Sequence, residues 1–334
     1  MLEAPFLLIV IVIAALIFDF TNGAHDCANA IATVVSTKVV TPRFAVGAAA
    51  LLNLCGALAG TEVAKTLGGG IVPPQVVEGS QILVLAALSG AIAWNLITWY
   101  FGIPSSSSHA LIGGLVGAVV AHADFQALNG KGIIDKVLIP LVGSPLTGFA
   151  VGMLFMWCIY WFCAKIHRVR VNVAFRRLQL VSAGLMATSH GLNDAQKTMG
   201  IITLALLIFG EIDSVEVPMW VKLACAGAMG LGTAFGGWKI VKTMGHRIFK
   251  LEPVHGFAAE SAAALVISGA SFLGAPVSTT HTISACLFGV GSTKRLSAVR
   301  WPLAMRLVMA WILTLPAAGM MGFASFRFFQ LFWP

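Results

Sequence analysis

Long apolar stretches dominate the chain, at roughly 5–37, 44–61, 82–101, 109–122, 137–164, 178–209, 218–237, 257–273, 281–291 and 302–329. A helix needs about 20 apolar residues to cross the hydrocarbon core of a bilayer. The stretches 109–122 and 281–291 are too short for that. All read as helix, because lipid admits only helices and closed barrels, and the alternating pattern of barrel strands does not appear. Two stretches, 5–37 and 178–209, carry polar residues near their middle, which predicts broken helices near mid-membrane.

Basic residues cluster between these stretches. Lys165, Arg168, Arg170, Arg176 and Arg177 fill 165–177 without an acid, and Lys239, Lys242, Arg247 and Lys250 lie in 238–256. Lys294, Arg295, Arg300 and Arg306 gather before or within the start of the last stretch, and Lys38 and Arg43 follow the first. The segment 210–217 holds Glu211, Asp213 and Glu216 instead. An excess of Lys and Arg marks cytoplasmic loops. Placing all four basic groups inside requires 82–122 and 257–291 to enter and leave on one face, as helical hairpins, and puts both termini outside. The expected protein is a multi-pass protein of the cell membrane, plasma or inner, in contact with the lipid bilayer.

Composition sharpens this reading. Hydrophobic residues make up 58% of the 334 and charged ones 10%, with a mean hydropathy of +0.90. A soluble domain carries about 25% charged residues. That excludes an ordinary cytosolic enzyme, a disordered chain and a nucleic-acid binder. The net charge of +8 is then first a statement about loop orientation. Cys27, Cys55, Cys158, Cys163, Cys225 and Cys286 all lie in apolar segments and read as small core residues rather than disulfides or a metal cage. No base precedes the first apolar run, so no cleavable leader is expected. Trp and Phe at 94–101, 155–162 and 326–333 read as interface belts. Gly68, Gly69 and Gly70 lack a following Gly-Lys-Ser/Thr, and Pro73-Pro74 predicts a turn there. Gly113, Gly114, Gly117, Gly230, Gly232, Gly236 and Gly237 are expected to allow close helix packing. No nucleophile, zinc or nucleotide signature points to an enzyme.

The two halves of the chain resemble each other. NGAHDCANAIAT, from Asn22 to Thr33, is followed by PSSSSH, from Pro104 to His109. HGLNDAQKTMG, from His190 to Gly200, is followed by PVSTTH, from Pro276 to His281. Gly-x-x-Asp recurs at an offset of 168, from Asp26 to Asp194, and the Pro-to-His element at an offset of 172. Each half has three crossings and a hairpin, and the odd count inverts the second copy. The expected architecture is an all-α membrane protein of two inverted repeats, 1–164 and 178–334, joined by the basic linker 165–177. Such repeats, meeting at broken helices, belong to secondary transporters.

These four motifs in combination resemble the inorganic phosphate transporter (PiT) family, over essentially the whole chain. The resemblance implies inward transport of inorganic phosphate with sodium or protons, and no other cofactor. It also implies a homodimer, and for short bacterial members a cargo of neutral metal–phosphate complexes. A cytoplasmic regulator docking on 165–177 stays open.

The residues suit this implied role. Ser105, Ser106, Ser107 and Ser108 follow Pro104, and Ser278, Thr279 and Thr280 follow Pro276; each run opens a half-helix. A helix N-terminus offers unpaired amides and partial positive charge, and hydroxyls there add donors. Two such ends meeting can wrap phosphate in neutral donors, or they simply cap helices. Asp26 and Asp194, beside Asn22, Asn29 and Asn193, are costly in a membrane and suit a proton or a hard cation, with sodium at Asp26 and Asn29 the metal option. Asp19 shares the helical face of Asp26. The offset of 168 places Lys197 on Asn29, where sodium-coupled members resemble Asn-Asp-x-x-Asn in both halves. An ammonium there fills the space of a cation, which favours proton over sodium coupling, and His25 adds an imidazole beside Asp26. His109 and His281 either donate to the anion or lock the tips. Glu260 either relays a proton or accepts a bond from a neighbouring helix. The rivals are a sulfate importer of the same family, a membrane sensor or binding protein without flux, and a channel.

Overall fold

The computed structural model describes residues 3–70, 80–128, 130–246 and 248–333, so the Pro73-Pro74 turn and Arg247 lie outside the described residues. Among the described residues twelve principal helices carry the fold: α1 (Glu3–Ser36), α2 (Pro42–Ala57), α3 (Glu62–Gly70), α4 (Ile82–Phe101), α5 (Ser107–Ala123), α6 (Ile139–Cys163), α7 (Arg168–Ile208), α8 (Met219–Phe235), α9 (Trp238–His246), α10 (Pro253–Phe272), α11 (Thr279–Lys294) and α12 (Trp301–Phe329). No strand occurs among the described residues. Among the described residues, four helices are long and apolar enough by length and composition to cross a membrane: Pro5–Ser36, Ile82–Phe101, Ile139–Cys163 and Trp301–Phe329.

The breaks lie elsewhere than the polar residues suggest. Helix α1 runs unbroken for 34 residues through Asp26, and α7 for 41 residues through Asp194. Asn and Asp disrupt helices when their side chains compete for backbone groups. Here those side chains are engaged by other helices, and the ladders persist. The chain breaks instead at two hairpin turns. Gly102 and Gly274 adopt left-handed φ values of 67° and 68°, ending α4 and α10 and its Leu273 cap. Pro104 and Pro276 follow, and Ser106 and Ser278 then cap α5 and α11, each side chain accepting from the amide of the histidine three residues on at 3.2 Å. Although Ile82–Phe101 is long enough to cross alone, it turns back and packs against α5.

The packing partners exchange between the halves. α1 packs on α8 and α2 on α7, while α5 packs on α12 and α11 on α6. Glycines permit these crossings, and they recur in pairs. A Cβ at Gly23 would collide with the Met229 carbonyl, and one at Gly191 with the Asn53 carbonyl. Gly117 against Gly319 and Gly289 against Phe149 form a second pair, offset by 172. Gly113, Gly114, Gly232 and Gly237 likewise touch backbone carbonyls and Gly230 lies close to one, whereas Gly236 serves a left-handed turn at φ 78° rather than a helix contact. A Gly23→Ala substitution is expected to cost roughly 1–3 kcal/mol or more, because backbone cannot yield as a side chain can. Thermal unfolding of the detergent-solubilised protein checks this; an unchanged midpoint would mean that α1 and α8 can separate freely.

Burial runs opposite to that of a soluble protein. Ile9, Ile13 and Ile17 are exposed along α1, as are Leu146, Trp157 and Trp161 along α6 and Met305, Ile312 and Met320 along α12. The polar residues at the centres of α1 and α7, from Asp19 to Thr33 and from Ser189 to Thr198, are largely inside, while Arg168, Arg170, Asn172, Arg176 and Arg177 at the start of α7 are exposed. All six cysteines are free, but only Cys27, Cys225 and Cys286 are core residues; Cys55 and Cys158 are exposed and Cys163 is half-buried. They lie on apolar outer faces, which composition alone does not distinguish from the core. Two apolar cores form. One contains Ile11, Phe18, Leu83, Met199 and Ile202, and the other Ile31, Met186, Ile240, Ala259 and Ile283. The polar centres of α1 and α7 lie between them in sequence, and the hairpin tips reach that level.

Candidate functional site

On α1 the residues Asp19, Asn22, Asp26 and Asn29 follow at spacings of three and four, which places them on one helical face. His190, Asp194 and Lys197 do the same on α7. All are buried, with Asp26 3%, Asp194 1% and Lys197 2% exposed. Burying charge is tolerable only where it is paired and hydrogen-bonded. The hairpin tips supply the partners.

Thr279 Oγ1 donates to Asp194 Oδ2 at 2.8 Å, and Thr280 Oγ1 donates to Asp26 Oδ2 at 3.3 Å. Asn29 Nδ2 donates to both hydroxyls, at 3.3 and 2.9 Å. One tip therefore bridges the two carboxylates. From the other tip, Ser108 Oγ accepts from Lys197 Nζ, which also bonds Asp194 Oδ1 and, at 2.9 Å, the Val277 carbonyl. Ser105 Oγ donates to Thr98 Oγ1 at 2.9 Å and lies 3.3 Å from His25 Nε2, while His25 Nδ1 lies 2.6 Å from Asp26 Oδ1. Ser107 Oγ is buried without a hydrogen-bond partner among the described residues. Ser106 and Ser278 are occupied as caps.

This arrangement corrects the expectation of purely neutral donors. Most of the hydroxyls already bond protein groups, and the Lys197 ammonium stands between the tips. An entering oxyanion would meet one full positive charge, the hydroxyls it displaces from Asp26 and Asp194, and the amides of two helix starts.

Sequence reasoning missed His190. Its Nε2 lies 3.0 Å from Asp194 Oδ2 and its Nδ1 lies 3.0 Å from Asn53 Oδ1, whose amide donates to Thr233 Oγ1 at 2.9 Å. The offset of 168 places His190 on Asn22, the one signal that pointed to it. Asp26, His190 and Asp194 each offer a ligand atom, all within 4.8 Å of one another. Two carboxylates and an imidazole suit a divalent cation, although Lys197 opposes one on the Asp194 side.

Other candidates stand apart. Asn193 Nδ2 donates to Ser271 Oγ at 2.7 Å, and Asn22 Oδ1 is buried without a hydrogen-bond partner among the described residues. Asp19 accepts from Thr198 Oγ1 at 3.0 Å. Glu260 belongs to a separate cluster with Thr33, Gln179 and Ser182. His109 and His281 stack at 4.7 Å between centroids, and Trp311 stacks on His281 at 4.2 Å while its Nε1 donates to the Pro104 carbonyl at 3.2 Å. These rings clamp tip to tip.

Comparisons with known proteins place the whole chain beside phosphate transporters. The model of a phosphate transporter family matches residues 22–322. A probable low-affinity inorganic phosphate transporter of Bacillus subtilis (strain 168) is 50% identical over 317 residues, covering 95% of either chain. A relative of the same description from Rhizobium meliloti (strain 1021) is 49% identical, over 95% of this chain and 94% of its own. A solved structure described as the sodium-dependent phosphate transporter is 25% identical, with a TM-score of 0.88 over 98% of this chain and 99% of that one.

Proposed function

The chain belongs to the phosphate transporter family, and on that premise we propose that it is a secondary active symporter importing inorganic phosphate, coupled to protons, by alternating access. Its relatives are transporters, not enzymes. The observation that carries the proposal is the meeting of both hairpin tips at Asp26, Asp194 and Lys197. A translocated anion needs a site that opens to either face by separating parts, and two tips joined by hydrogen bonds are separable in that way.

The repeats 1–164 and 178–334, joined by 165–177, are the rocking elements, inverted in a plasma or inner membrane. The basic loops lie inside, the hairpins are re-entrant, and both termini lie outside. Homodimerisation remains part of this reading through the family resemblance, and the basic segment 165–177 is the surface a cytoplasmic regulator would dock on. Phosphate is held by Ser105, Ser107, Ser108, Thr279, Thr280 and Lys197, with Ser106 and Ser278 shaping the tips. Asp26, with His25, and Asp194 take the coupling charge.

Protons are favoured over sodium because Lys197 already fills one cation position. Its acceptors are a carboxylate, a hydroxyl and a carbonyl, the donor set of a hard cation. A monohydrogen phosphate can donate its proton to a carboxylate at the tips; sulfate has none to give. The ligand set of Asp26, His190 and Asp194 supports a second reading, in which the anion enters with a divalent metal.

Radiolabelled phosphate uptake into proteoliposomes, with pH and sodium gradients imposed separately and sulfate as competitor, tests the proposal. Accumulation driven by the pH gradient and indifferent to sodium and sulfate is expected. A sodium requirement overturns the coupling, inhibition by sulfate overturns the substrate, and absence of saturable accumulation overturns transport itself. Stimulation by Mg2+ or Zn2+ would select the metal–phosphate cargo. In the same assay Ser107→Ala is expected to weaken apparent phosphate affinity several-fold, about 1 kcal/mol for one donor, with no loss of thermal stability. Ser106→Ala should instead lose about 1 kcal/mol of stability as a missing cap.

A further inference from the structure

The polar face of α1 does not stop at the central site. Thr33 and Thr37 continue it at spacings of four from Asn29, both buried, toward the end that carries Lys38. Thr33 Oγ1 donates to Glu260 Oε1, and Ser182 Oγ donates to Glu260 Oε2. Gln179 Nε2 adds a bond to Oε1 at 3.1 Å, and Thr37 Oγ1 donates to Gln179 Oε1 at 2.8 Å. One fully buried carboxylate on α10 thus ties α1 to α7, with no cation beside it among the described residues. A carboxylate held only by neutral donors is kept at the cost of its desolvation, so its role is to join those donors.

Immediately past Thr37 a cavity of about 850 Å³ opens. Thr37, Tyr160, Arg168, Arg176, His255 and Lys294 are among its lining residues. It lies at the end of the molecule that carries the basic 165–177 segment. At about 30 Å³ per water it holds a hydrated oxyanion with room to spare. Three basic residues on the wall against the single acid Glu252, which already pairs with Arg168 at 3.1 Å, favour an anion there.

We propose that this cavity is the inner mouth of the translocation path, and that Glu260 with Thr33, Gln179 and Ser182 is the latch closing the path between that mouth and the central site. The inference rests on the transport reading above. Opening requires Glu260 to release donors on two helices at once, which keeps the closed state cooperative. A latch of hydroxyls and an amide, unlike an apolar plug, can be rehydrated in the open state, so the path stays passable to an anion. Glu260 thereby acts as a positioning residue that does not touch the substrate.

The test places single cysteines in a background whose six native cysteines are replaced and whose phosphate uptake is measured first. Thr37→Cys reports the mouth, and Asn29→Cys, on the polar face of α1 four residues beyond Thr33 and against Thr279 and Thr280, reports the sealed side. A membrane-impermeant methanethiosulfonate is applied from either face. Thr37→Cys is expected to react from the basic-loop face, and Asn29→Cys slowly. Adding Glu260→Ala should speed Asn29→Cys labelling from that face by at least about tenfold, with Glu260→Gln intermediate. If labelling of Asn29→Cys does not change in a Glu260→Gln protein that elutes as a single folded species, the latch is overturned. Labelling of Thr37→Cys only from the opposite face overturns the mouth. Loss of uptake in the parent background would strike the transport reading alone, because the labelling arms need no phosphate.

Discussion

Phosphate accumulation by an Asp194→Asn variant is expected to fall to background. Asp194 is the most connected group of the site: Oδ1 holds Lys197, Oδ2 accepts from Thr279 at 2.8 Å, and His190 Nε2 lies 3.0 Å away. Asparagine keeps the shape but removes the charge, leaving a buried ammonium without its counter-ion. Removing one partner of a buried pair costs about 3–5 kcal/mol, so thermal stability should fall together with transport. The double variant Asp194→Asn, Lys197→Asn separates the two effects. With both charges gone, stability should recover most of that loss, because neither member of the pair is left without its partner. Uptake should stay at background, because the coupling carboxylate and the cationic donor are both absent. Accumulation by the recovered double variant would remove Asp194 from the mechanism.

Lys197→Asn alone has the second-largest expected effect, a change in ion dependence rather than a simple loss. The offsets of 168 and 172 place Lys197 on Asn29, Asp194 on Asp26, Thr280 on Ser108 and Val277 on Ser105. One of two related positions therefore holds an ammonium against a carboxylate, a hydroxyl and a carbonyl, while the other holds an amide bonded to Thr280 beside Asp26. Removing the ammonium vacates three oxygen donors at one point, a small hard-cation site. Uptake should then become sodium-stimulated by about tenfold, the equivalent of 1.4 kcal/mol of cation binding, and lose part of its response to the pH gradient. An ion profile identical to that of the parent would end the role of Lys197 as a tethered cation.

Much of this site was legible in the chain because polar residues are conspicuous against an apolar background. Asp26, Asp194, Lys197 and both hydroxyl runs stand out, and their recurrence at two close offsets pairs them. His190 was harder to see: it lies in a recognisable motif, yet nothing local separates a ligand-bearing histidine from one that bonds its neighbours. Glu260 was visible as a buried acid, but its donors Thr33, Gln179 and Ser182 come from helices far away in sequence and carry no shared pattern. The exposed Cys55 and Cys158 illustrate the same limit, since an apolar setting is equally that of a core and of a lipid-facing surface.

Hydropathy and spacing by themselves determined the all-helical class and, through the offsets of 168 and 172, which residues recur in the second half. These follow from local chemistry, namely the cost of exposing polar backbone in lipid and the period of the helix. The tertiary structure alone decided that α1 and α7 run unbroken past their acids, because only distant hydroxyls and amides could engage side chains that would otherwise compete for the backbone. It alone decided that Lys197 stands between two tips, since which oxygen an ammonium finds depends on how the halves exchange their hairpins. That exchange is set by glycine-sized gaps between helices remote in sequence, where a carbonyl fits and a methyl group does not.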